Sequence, residues 1–502
     1  MSSPVMIPYK TMISINRKSK QPVYLQIANQ FITLIKNNTL PPNTRLPGSR
    51  VLAELITVHR KTIIAAYDEL ILQGWIISIP KKGTFINGNI PLLQQEVLPG
   101  TVTKNRKDYA GFSFKKESLI QHSLPILQEG FIHFDDGVSD KRLTPTKEIA
   151  MIYRSISDKK HTQKHLTYGT TYGNFELRKV LTTYLNETRG LNITEDNIMI
   201  TRGSQMGMHL ASGLLIQQGD NMIVGETNYR SADITFEHAG ANLVRVPVDE
   251  DGLNTNEIEK VCKKQPVKAV YVTSHHHHPT TVTLSAERRI HLLNLAKAYN
   301  FAILEDDYDY DFHYNHAPIL PLSSHDENGN VIYIGSVCKT VAPAYRIGYL
   351  IASKDFIDQC AYLRRFVDRQ GDSLLELTFA RFIKNGDLDR HIKKVLKIYK
   401  IRRDLFCRLL QEELGTYFQF EIPKGGMAVW VTLNKAYSWN EVDKISKKHL
   451  LDIGDWQRYD IPGIGHNAIR IGFAAVNEDE IYELIRRLKL TMKEISQYKA
   501  NC

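Results

Sequence analysis

The amino-acid sequence predicts an α/β protein in two folded parts, a small helical module at the N-terminus and a large part with a mostly parallel sheet. The chain has 502 residues, which is too long for one ordinary compact core. Between about residues 131 and 497, short apolar runs typical of strands alternate with longer helical patterns, as in a parallel sheet covered by helices. Residues 20–86 are instead a dense series of short amphipathic elements.

The composition indicates a globular protein of the cytoplasm without a membrane segment. No stretch approaches the roughly 20 consecutive apolar residues that a membrane span needs. The N-terminus lacks the basic start and apolar run of a secretory signal. The five cysteines are scattered and odd in number, without C-x-x-C spacing, so we expect them to be reduced.

The positive charge of the chain is concentrated in its first sixth. Residues 1–86 contain eleven Lys and Arg against three Asp and Glu, a net charge of +8, whereas the whole chain carries +10. A solvated basic surface is one explanation of this asymmetry. A polyanionic partner explains it better, and DNA is the commonest one.

The N-terminal module has the pattern of a helix-turn-helix followed by a hairpin. Pro22 begins one predicted helix, Ser49 is the expected N-cap of the next, and a further helix runs from about Arg60 to Gln73. Two short strands follow, joined at residues 80–83, where two lysines suit backbone phosphates. The expected buried side of the third helix consists of Ile63, Ile64, Tyr67, Leu70 and Ile71. The N-terminal end of that helix, which points at base edges in such motifs, carries Arg60, Lys61 and Thr62.

This module resembles the GntR family of winged-helix regulators. The matching residues are Leu46-Pro47-Gly48-Ser49-Arg50, Leu52-Ala53, Arg60-Lys61-Thr62-Ile63, Ala66-Tyr67-Asp68-Glu69-Leu70 and Gly83-Thr84-Phe85. His59 and Lys81 depart from the family pattern, where Ser and Gly are usual. The resemblance implies that DNA is contacted by Arg50, Arg60, Thr62, Lys82 and Gly83.

In the large part, five apolar strands end in polar residues. In a parallel sheet these ends meet at one edge, where ligands bind. The Gly203-Ser204 turn opens a helix and suits a phosphate. A lysine that follows a strand, as Lys339 does, can form a Schiff base, and an acidic residue that ends a strand, as in Glu305-Asp306-Asp307, can keep a pyridine nitrogen protonated. These are the parts that pyridoxal phosphate needs. The predicted strands are residues 197–201, 221–224, 269–272, 301–304 and 331–334.

Residues 131–497 resemble fold-type I aminotransferases, with a smaller C-terminal α/β subdomain from about residue 390. Together with a winged helix-turn-helix over residues 15–86 and a linker over 87–130, the chain resembles the MocR/GabR subfamily of GntR regulators. The resemblance implies that Lys339 is the Schiff-base lysine. It also implies that Arg470 clamps the carboxylate of an amino-acid effector, and that Tyr168 reaches the cofactor phosphate of the neighbouring subunit in a homodimer.

The same resemblance assigns the other cofactor contacts. Asp306 pairs with the pyridine nitrogen, Tyr308 bonds the ring hydroxyl and Tyr229 stacks on the ring. The phosphate is held by Ser204, Gln205, Ser336 and Arg346.

Three residues depart from the aminotransferase pattern. Cys338 stands where the subfamily has Ser, and a thiol is a weak hydrogen-bond donor. His278 stands where active aminotransferases have Asn, and Thr281 replaces a Gly. We therefore expect transaminase turnover to be weak or vestigial.

Two clusters offer metal binding as a rival explanation. Residues 275–278 are four consecutive histidines, but only alternate side chains of an extended segment share a side, so at most two could bind one ion. Glu305, Asp307 and Asp309 also alternate, and we expect solvated or capping carboxylates there. The sequence therefore predicts no metal site.

Two functions remain open at this point. The first is a transcriptional regulator that senses pyridoxal phosphate, an amino compound, or both. The alternative is an active aminotransferase that carries a DNA-binding module.

Overall fold

The computed structural model describes residues 7–90, 110, 112–115, 129–314, 319–459 and 465–500. The chain divides into two compact units, Met1–Lys115 and Lys116–Cys502. Most of the predicted linker, residues 87–130, lies outside the described residues. In the described part of the chain, no helix is both long and apolar enough to cross a membrane.

The first unit is a three-helix core with a short helix before it and an antiparallel hairpin after it. Its aromatic centre is Phe31, whose ring centroid lies 6.1 Å from that of Tyr9 and 6.0 Å from that of Tyr67. The Tyr67 hydroxyl also donates to Pro47 O at 2.8 Å, which holds the turn before the second core helix. The elements are α1 (Tyr9–Met12), α2 (Val23–Lys36), α3 (Ser49–Leu55), α4 (Arg60–Leu72), β1 (Ile76–Ile79) and β2 (Gly83–Ile86).

Two expectations for this unit were wrong. Ser49 is the first helical residue of α3, and Gly48 takes the N-cap position without a side chain to bond. Ile64 and Ile71 of α4 are exposed, because the buried stripe runs along the i, i+3, i+4, i+7 positions that begin at Ile63. A residue one position further along is rotated by about 100° and leaves that stripe.

The second unit is built on a seven-stranded sheet in the order β4-β12-β11-β10-β9-β5-β6. All neighbours are parallel except β12, which is antiparallel to both of its partners. This mostly parallel sheet confirms the predicted fold class. The sheet strands are β4 (Ile198–Thr201), β5 (Asn221–Gly225), β6 (Asn242–Val246), β9 (Ala269–Val272), β10 (Ala302–Asp307), β11 (Val331–Ser336) and β12 (Gly348–Ile351), and a separate pair is β7 (Val248–Asp249) with β8 (Gly252–Leu253).

Helices cover both faces of this sheet, because its strands are apolar on both sides. All residues of β4, β9 and β12 are buried, for example, and they pack in three clusters of hydrophobic side chains. The helices before the C-terminal sheet are α5 (Thr146–Ser157), α6 (Phe175–Arg189), α7 (Ser204–Leu215), α8 (Arg230–Ala239), α9 (Thr255–Lys264), α10 (Ala286–Tyr299), α11 (Lys354–Val367) and α12 (Ser373–Lys384).

A second, antiparallel sheet in the order β13-β14-β16 packs with the C-terminal helices around its own core. The strand β3 (Ile132–His133), from the start of the unit, pairs in parallel with β15 (Leu451–Asp452) beside it. This pairing carries residues 134–140 back towards the large sheet. The remaining elements are β13 (Phe418–Phe420), β14 (Ala428–Leu433), β16 (Ala468–Gly472), α13 (Asp387–Leu414), α14 (Trp439–Ser446) and α15 (Glu478–Ala500).

We predict that Phe31→Ala destabilises the first unit by about 3–5 kcal/mol, because Phe31 is fully buried and its removal leaves a cavity. Hydrogen exchange of the amides of α2 and α4, read by mass spectrometry in the whole protein, should be strongly accelerated. Leu72→Ala is the matched control, since Leu72 is 84% exposed, and it should leave exchange within error of the unmodified protein. Equal protection in both variants would contradict the description of this core.

Candidate cofactor site and nucleic-acid interface

A cavity of about 270 Å³ lies at the carboxyl edge of the parallel strands in the second unit. It receives the residues that follow β4, β5, β9, β10 and β11, as expected for strands whose ends meet at one edge. The cavity is lined by Asp136, Val138, Ser204, Gln205, Tyr229, Tyr271, Thr273, His278, Asp306, Tyr308, Ser336, Cys338, Lys339, Pro343 and Arg346.

Asp306 is the buried acid of this cavity. The Tyr271 hydroxyl donates to its Oδ2 at 2.9 Å, whereas its Oδ1 is buried without a partner among the described residues. Burial raises the pKa of Asp306 to about 7. An unpartnered buried carboxylate oxygen is costly, so its geometry suits a ligand that offers an N–H.

Lys339 lies across the cavity lining on the loop after β11. Its Nζ donates to Gly137 O at 2.5 Å. The next residue, Thr340, donates from Oγ1 to Asp311 Oδ2 at 3.0 Å and accepts from the ring of His391 at 2.9 Å through its carbonyl oxygen. The bonds of Thr340 fix the backbone beside Lys339. The Lys339 amine itself is bonded to one backbone oxygen, that of Gly137, which a ligand could replace.

The first turn of α7 and the loop around Arg346 form a cradle for an anion. The helix begins at Ser204, so the N–H groups of its first turn have no partner within the helix. Arg346 Nη2 donates to Arg202 O at 2.6 Å, which keeps the guanidinium against this turn. Gly203 has a φ of 77°, and a Cβ there would stand 2.8 Å from Arg346 Nη2, so a side chain would displace the arginine.

Two further phosphate candidates make internal bonds. Gln205 Nε2 donates to Thr235 Oγ1 at 2.5 Å, and Ser336 Oγ accepts from the Cys338 amide at 3.0 Å. Cys338 Sγ lies 3.8 Å from Ile347 O, a long sulfur contact. The backbone around Ser336 is therefore held by its own side chain.

The four histidines divide between the cavity and the protein interior. His275 Nδ1 lies 3.1 Å from Asp307 Oδ1, and His276 Nδ1 lies 2.9 Å from Asp309 Oδ1. His278 lines the cavity, and neither of its ring nitrogens has a hydrogen-bond partner among the described residues. Burial lowers the pKa of His278 to about 4, so its ring is neutral at pH 7.

The carboxylates beside Asp306, expected to be solvated or capping, are buried and not solvated, but Glu305 does cap a helical turn, since it accepts from the Leu322 and Ser323 amides. Strand β10 continues to Asp307, so the side chains alternate, and Glu305 and Asp307 lie on the opposite face from Asp306 inside the protein. Glu305 accepts hydrogen bonds from Ser274 Oγ at 2.5 Å and from the Leu322 amide at 2.8 Å. Within the described ranges, no group of three or more His, Cys, Asp or Glu side chains is arranged to hold a metal ion.

Two residues assigned by resemblance do not line the cavity. Arg470 is 2% exposed and donates from Nε to Asp136 O at 2.8 Å, from Nη1 to Pro279 O at 3.0 Å and from Nη2 to the Tyr308 hydroxyl at 3.3 Å. Tyr168 is 78% exposed, and the Arg369 guanidinium lies 4.2 Å from its ring centroid.

Sequence reasoning missed five lining residues, Asp136, Val138, Tyr271, Thr273 and Pro343. Tyr271 lies on β9 and Thr273 directly follows it. Tyr271 could have been identified from the sequence, because it is a tyrosine inside an otherwise apolar strand. Asp136 and Val138 reach the cavity through the β3–β15 pairing, which no local pattern shows.

A larger and more open cavity of about 510 Å³ lies beside residues 280–283, between the β7 region and the β13–β14 edge. None of the residues predicted to bind a cofactor lines it. The smaller cavity, where the predicted acid, amine and helix N-terminus meet, is therefore the candidate cofactor site.

In the first unit, the residues expected to contact DNA lie on the surface. Arg50, Arg60, Lys82 and Gly83 are exposed, and Thr62 is half-buried. Arg60 Nε donates to Ser49 Oγ at 3.3 Å, which links the start of α4 to the start of α3. Arg45, which the sequence analysis did not single out, forms an antiparallel β-bridge with Phe85 near the hairpin tip. Its side chain lies against Gly83, where an added Cβ would be 3.3 Å from Arg45 Nε.

Known families match both parts of the chain. Residues 141–488 match the family of aminotransferases of class I and II, and residues 23–86 match the bacterial regulatory proteins of the gntR family. This arrangement confirms the predicted combination of a GntR-type domain with an aminotransferase domain.

Relatives of two kinds are similar to the chain. Aromatic-amino-acid aminotransferase 1 of Thermococcus litoralis is 32% identical over 76% of this chain and 92% of its own length. The HTH-type transcriptional regulator YdfD of Bacillus subtilis is 26% identical over 96% of this chain and 98% of its own. The probable rhizopine catabolism regulatory protein MocR of Rhizobium meliloti is 24% identical over 85% and 84%, respectively.

Solved structures share the fold of the second unit. The multiple substrate aminotransferase of Thermococcus profundus is 28% identical, with a TM-score of 0.69, and covers 74% of this chain and 93% of its own. The kynurenine aminotransferase of Pyrococcus horikoshii in complex with PMP is 30% identical, with a TM-score of 0.68 over 72% and 91%. The chain therefore belongs to the aminotransferase class I and II family and carries a gntR-family domain in front of its aminotransferase domain.

Proposed function

We propose that this chain is a cytoplasmic transcriptional regulator that binds DNA through its first unit and pyridoxal 5'-phosphate through its second. The observation that carries the proposal is the combination, in one chain, of a basic winged helix-turn-helix with a cavity that joins Lys339, the unpartnered Asp306 Oδ1 and the start of α7. The relatives YdfD and MocR, which align with most of the chain, are named as regulators. The complex of the similar kynurenine aminotransferase with PMP supports the cofactor.

The residues of the cavity fit the groups of this cofactor. When bound, pyridoxal phosphate supplies an aldehyde that reacts with amines and a ring that withdraws electrons. Lys339 would hold it covalently, and Asp306 would accept a hydrogen bond from the pyridine nitrogen. Tyr229 would pack on the ring and Tyr308 would reach the ring hydroxyl. The phosphate would be held by Ser204, Gln205, Ser336 and Arg346.

An active aminotransferase is the second candidate, because an aminotransferase is 32% identical over 76% of the chain. His278 and Thr281 argue for weak turnover, since both depart from the pattern of active enzymes. Steady-state transamination with a panel of amino acids, measured beside DNA binding, separates the two candidates. Fast turnover without an effect of amino acids on DNA binding would favour the enzyme.

The purified protein should carry a yellow cofactor that borohydride fixes to Lys339. Peptide mapping by mass spectrometry should find the reduced adduct on the Lys339 peptide alone, because its amine faces the cavity. Lys339→Ala should lose the adduct, whereas Lys384→Ala, which changes an exposed lysine of α12, should retain it. A reducible adduct that persists in Lys339→Ala would contradict the assignment.

Arg60→Ala should weaken specific DNA binding by about 1–3 kcal/mol, the magnitude of one good base contact. Lys82→Ala should weaken binding to all sequences and flatten its dependence on salt, because a phosphate contact releases counterions. Fluorescence anisotropy at a series of fixed salt concentrations measures both effects. Lys384→Ala removes the same charge from the second unit and should change neither; unchanged affinity in all three variants would rule out the proposed interface.

We further propose a homodimer in which Tyr168 completes the partner's cofactor site, since Tyr168 is exposed and lies outside the cavity of its own chain. Tyr168→Phe should weaken cofactor affinity about tenfold, the effect of one hydrogen bond to a charged group, and leave the dimer intact. Cofactor titration and sedimentation velocity measure the two properties. Tyr498→Phe, another exposed tyrosine, is the control, and equal cofactor affinity in both variants would remove Tyr168 from the site.

A further inference from the structure

Strand β10 lies between β9 and β11, and each of these neighbours supplies a tyrosine hydroxyl to one of its buried aspartates. On β9, the Tyr271 hydroxyl donates to Asp306 Oδ2 at 2.9 Å. On β11, the Tyr333 hydroxyl donates to Asp307 Oδ2 at 2.5 Å. Both tyrosines are almost fully buried. Two similar hydrogen bonds are therefore made by adjacent carboxylates of one strand.

The register of the strands decides which tyrosine serves which face of the sheet. Tyr271 is level with Leu304, two residues before Asp306, and side chains two residues apart on a strand share a face. Tyr333 is level with the residue two places before Asp307, so this pair lies on the opposite face. Tyr271 and Asp306 line the cavity of the candidate cofactor site, whereas Tyr333 and Asp307 do not.

The Tyr271 hydroxyl is held as a donor to the carboxylate. Burial raises the pKa of Tyr271 well above its ordinary value, so the hydroxyl keeps its proton. The ring is packed against Phe236, with the two centroids 5.3 Å apart. Asp306 Oδ1 is buried without a partner among the described residues. The carboxylate therefore has one oxygen anchored by Tyr271 and a second oxygen left to accept from a ligand.

The same hydrogen bond influences the charge of Asp306. Burial raises the pKa of Asp306 to about 7, and the hydrogen bond from Tyr271 opposes that rise, because it favours the ionised carboxylate. Without the hydroxyl, Asp306 would keep its own proton to a higher pH and would lose its ability to accept from a protonated nitrogen. The titratable groups around Asp306 are the hydroxyls of Tyr229, Tyr271 and Tyr308, the amine of Lys339 and the carboxylates of Asp307 and Asp309.

We propose that Tyr271 is a positioning residue of the cofactor site, which keeps Asp306 ionised and oriented to accept a hydrogen bond from the pyridine nitrogen. The proposal rests on the proposed function, because it concerns the carboxylate that would meet the same cofactor. Tyr271 acts through Asp306, so removal of its hydroxyl should matter only while the carboxylate is present.

Tyr271→Phe keeps the aromatic ring and removes the hydroxyl. Cofactor affinity, measured by absorbance titration, should fall about tenfold, the effect of one hydrogen bond to a charged group. The pH midpoint of the yellow absorbance should move upward, because an uncharged pyridine ring makes the nitrogen that joins Lys339 to the cofactor easier to protonate. In the cofactor-free protein, the infrared band of protonated Asp306, identified by its loss in Asp306→Asn, should persist to a pH about one unit higher.

Tyr333→Phe is the matched control, since it removes the corresponding hydroxyl on the opposite face, and it should leave the affinity and both pH midpoints unchanged. Tyr271→Phe combined with Asp306→Asn should behave as Asp306→Asn alone. Replacement of Tyr271 by 3-fluorotyrosine keeps the shape of the side chain and makes the hydroxyl a stronger donor, so it should move the infrared midpoint of Asp306 downward.

The proposal is overturned if Tyr271→Phe leaves the affinity and the midpoints unchanged, if Tyr333→Phe changes them equally, or if Tyr271→Phe keeps its full effect beside Asp306→Asn. If Tyr271→Phe does not fold, the 3-fluorotyrosine protein decides, and an unchanged infrared midpoint overturns the proposal. An unmodified protein that binds no cofactor would instead overturn the proposed function, while the infrared midpoints would still report whether Tyr271 controls the charge of Asp306.

Discussion

The acidic end of strand β10 is the constraint on which the second unit depends. Three consecutive carboxylates, Glu305, Asp306 and Asp307, are buried there, and the alternation of side chains along a strand sends them to two faces. A buried charge is tolerated only with partners, so each face must supply them. The alternation thus decides which carboxylate is available to a ligand and which two serve the interior.

On the interior face of β10, the carboxylate of Asp307 is paired by a network of hydrogen bonds and ion pairs that extends across the unit. Asp307 Oδ2 accepts from the Tyr333 hydroxyl at 2.5 Å and lies 3.7 Å from Arg189 Nη1. Arg189 Nη2 also donates to Asp311 at 3.4 Å, and Asp311 accepts from Thr340, the residue after Lys339. Neighbouring charges hold the pKa of Asp307 below its ordinary value although burial alone would raise it. Asp307 is therefore paired inside the protein, where His275 Nδ1, 3.1 Å from its Oδ1, is a further partner.

Local patterns sufficed for the parts of the site that follow strands. Apolar runs located β9 and β11, and the polar residues behind them, Lys339 among them, reached the cavity because parallel strands end at one edge. The same patterns did not predict the surroundings of side chains that contact residues far away in the sequence. Strand β10 runs to Asp307, three residues beyond the predicted end at residue 304, and this extension buries Glu305. The position of Asp136 depends on the pairing of β3 with β15.

The β3–β15 pairing also has a mechanical meaning. β3 lies near the start of the second unit, yet it pairs with β15 beside the C-terminal sheet. Close to it, Arg402 Nη1 donates to Asp140 Oδ2 at 2.9 Å and the Asp140 amide donates to the Tyr399 hydroxyl at 2.9 Å, and both of these partners lie on α13. Residues 132–140 are therefore held by the C-terminal subdomain. Because Asp136 and Val138 lie between β3 and Asp140, one side of the cavity lining is attached to the C-terminal subdomain, and a movement of that subdomain would change the shape of the cavity.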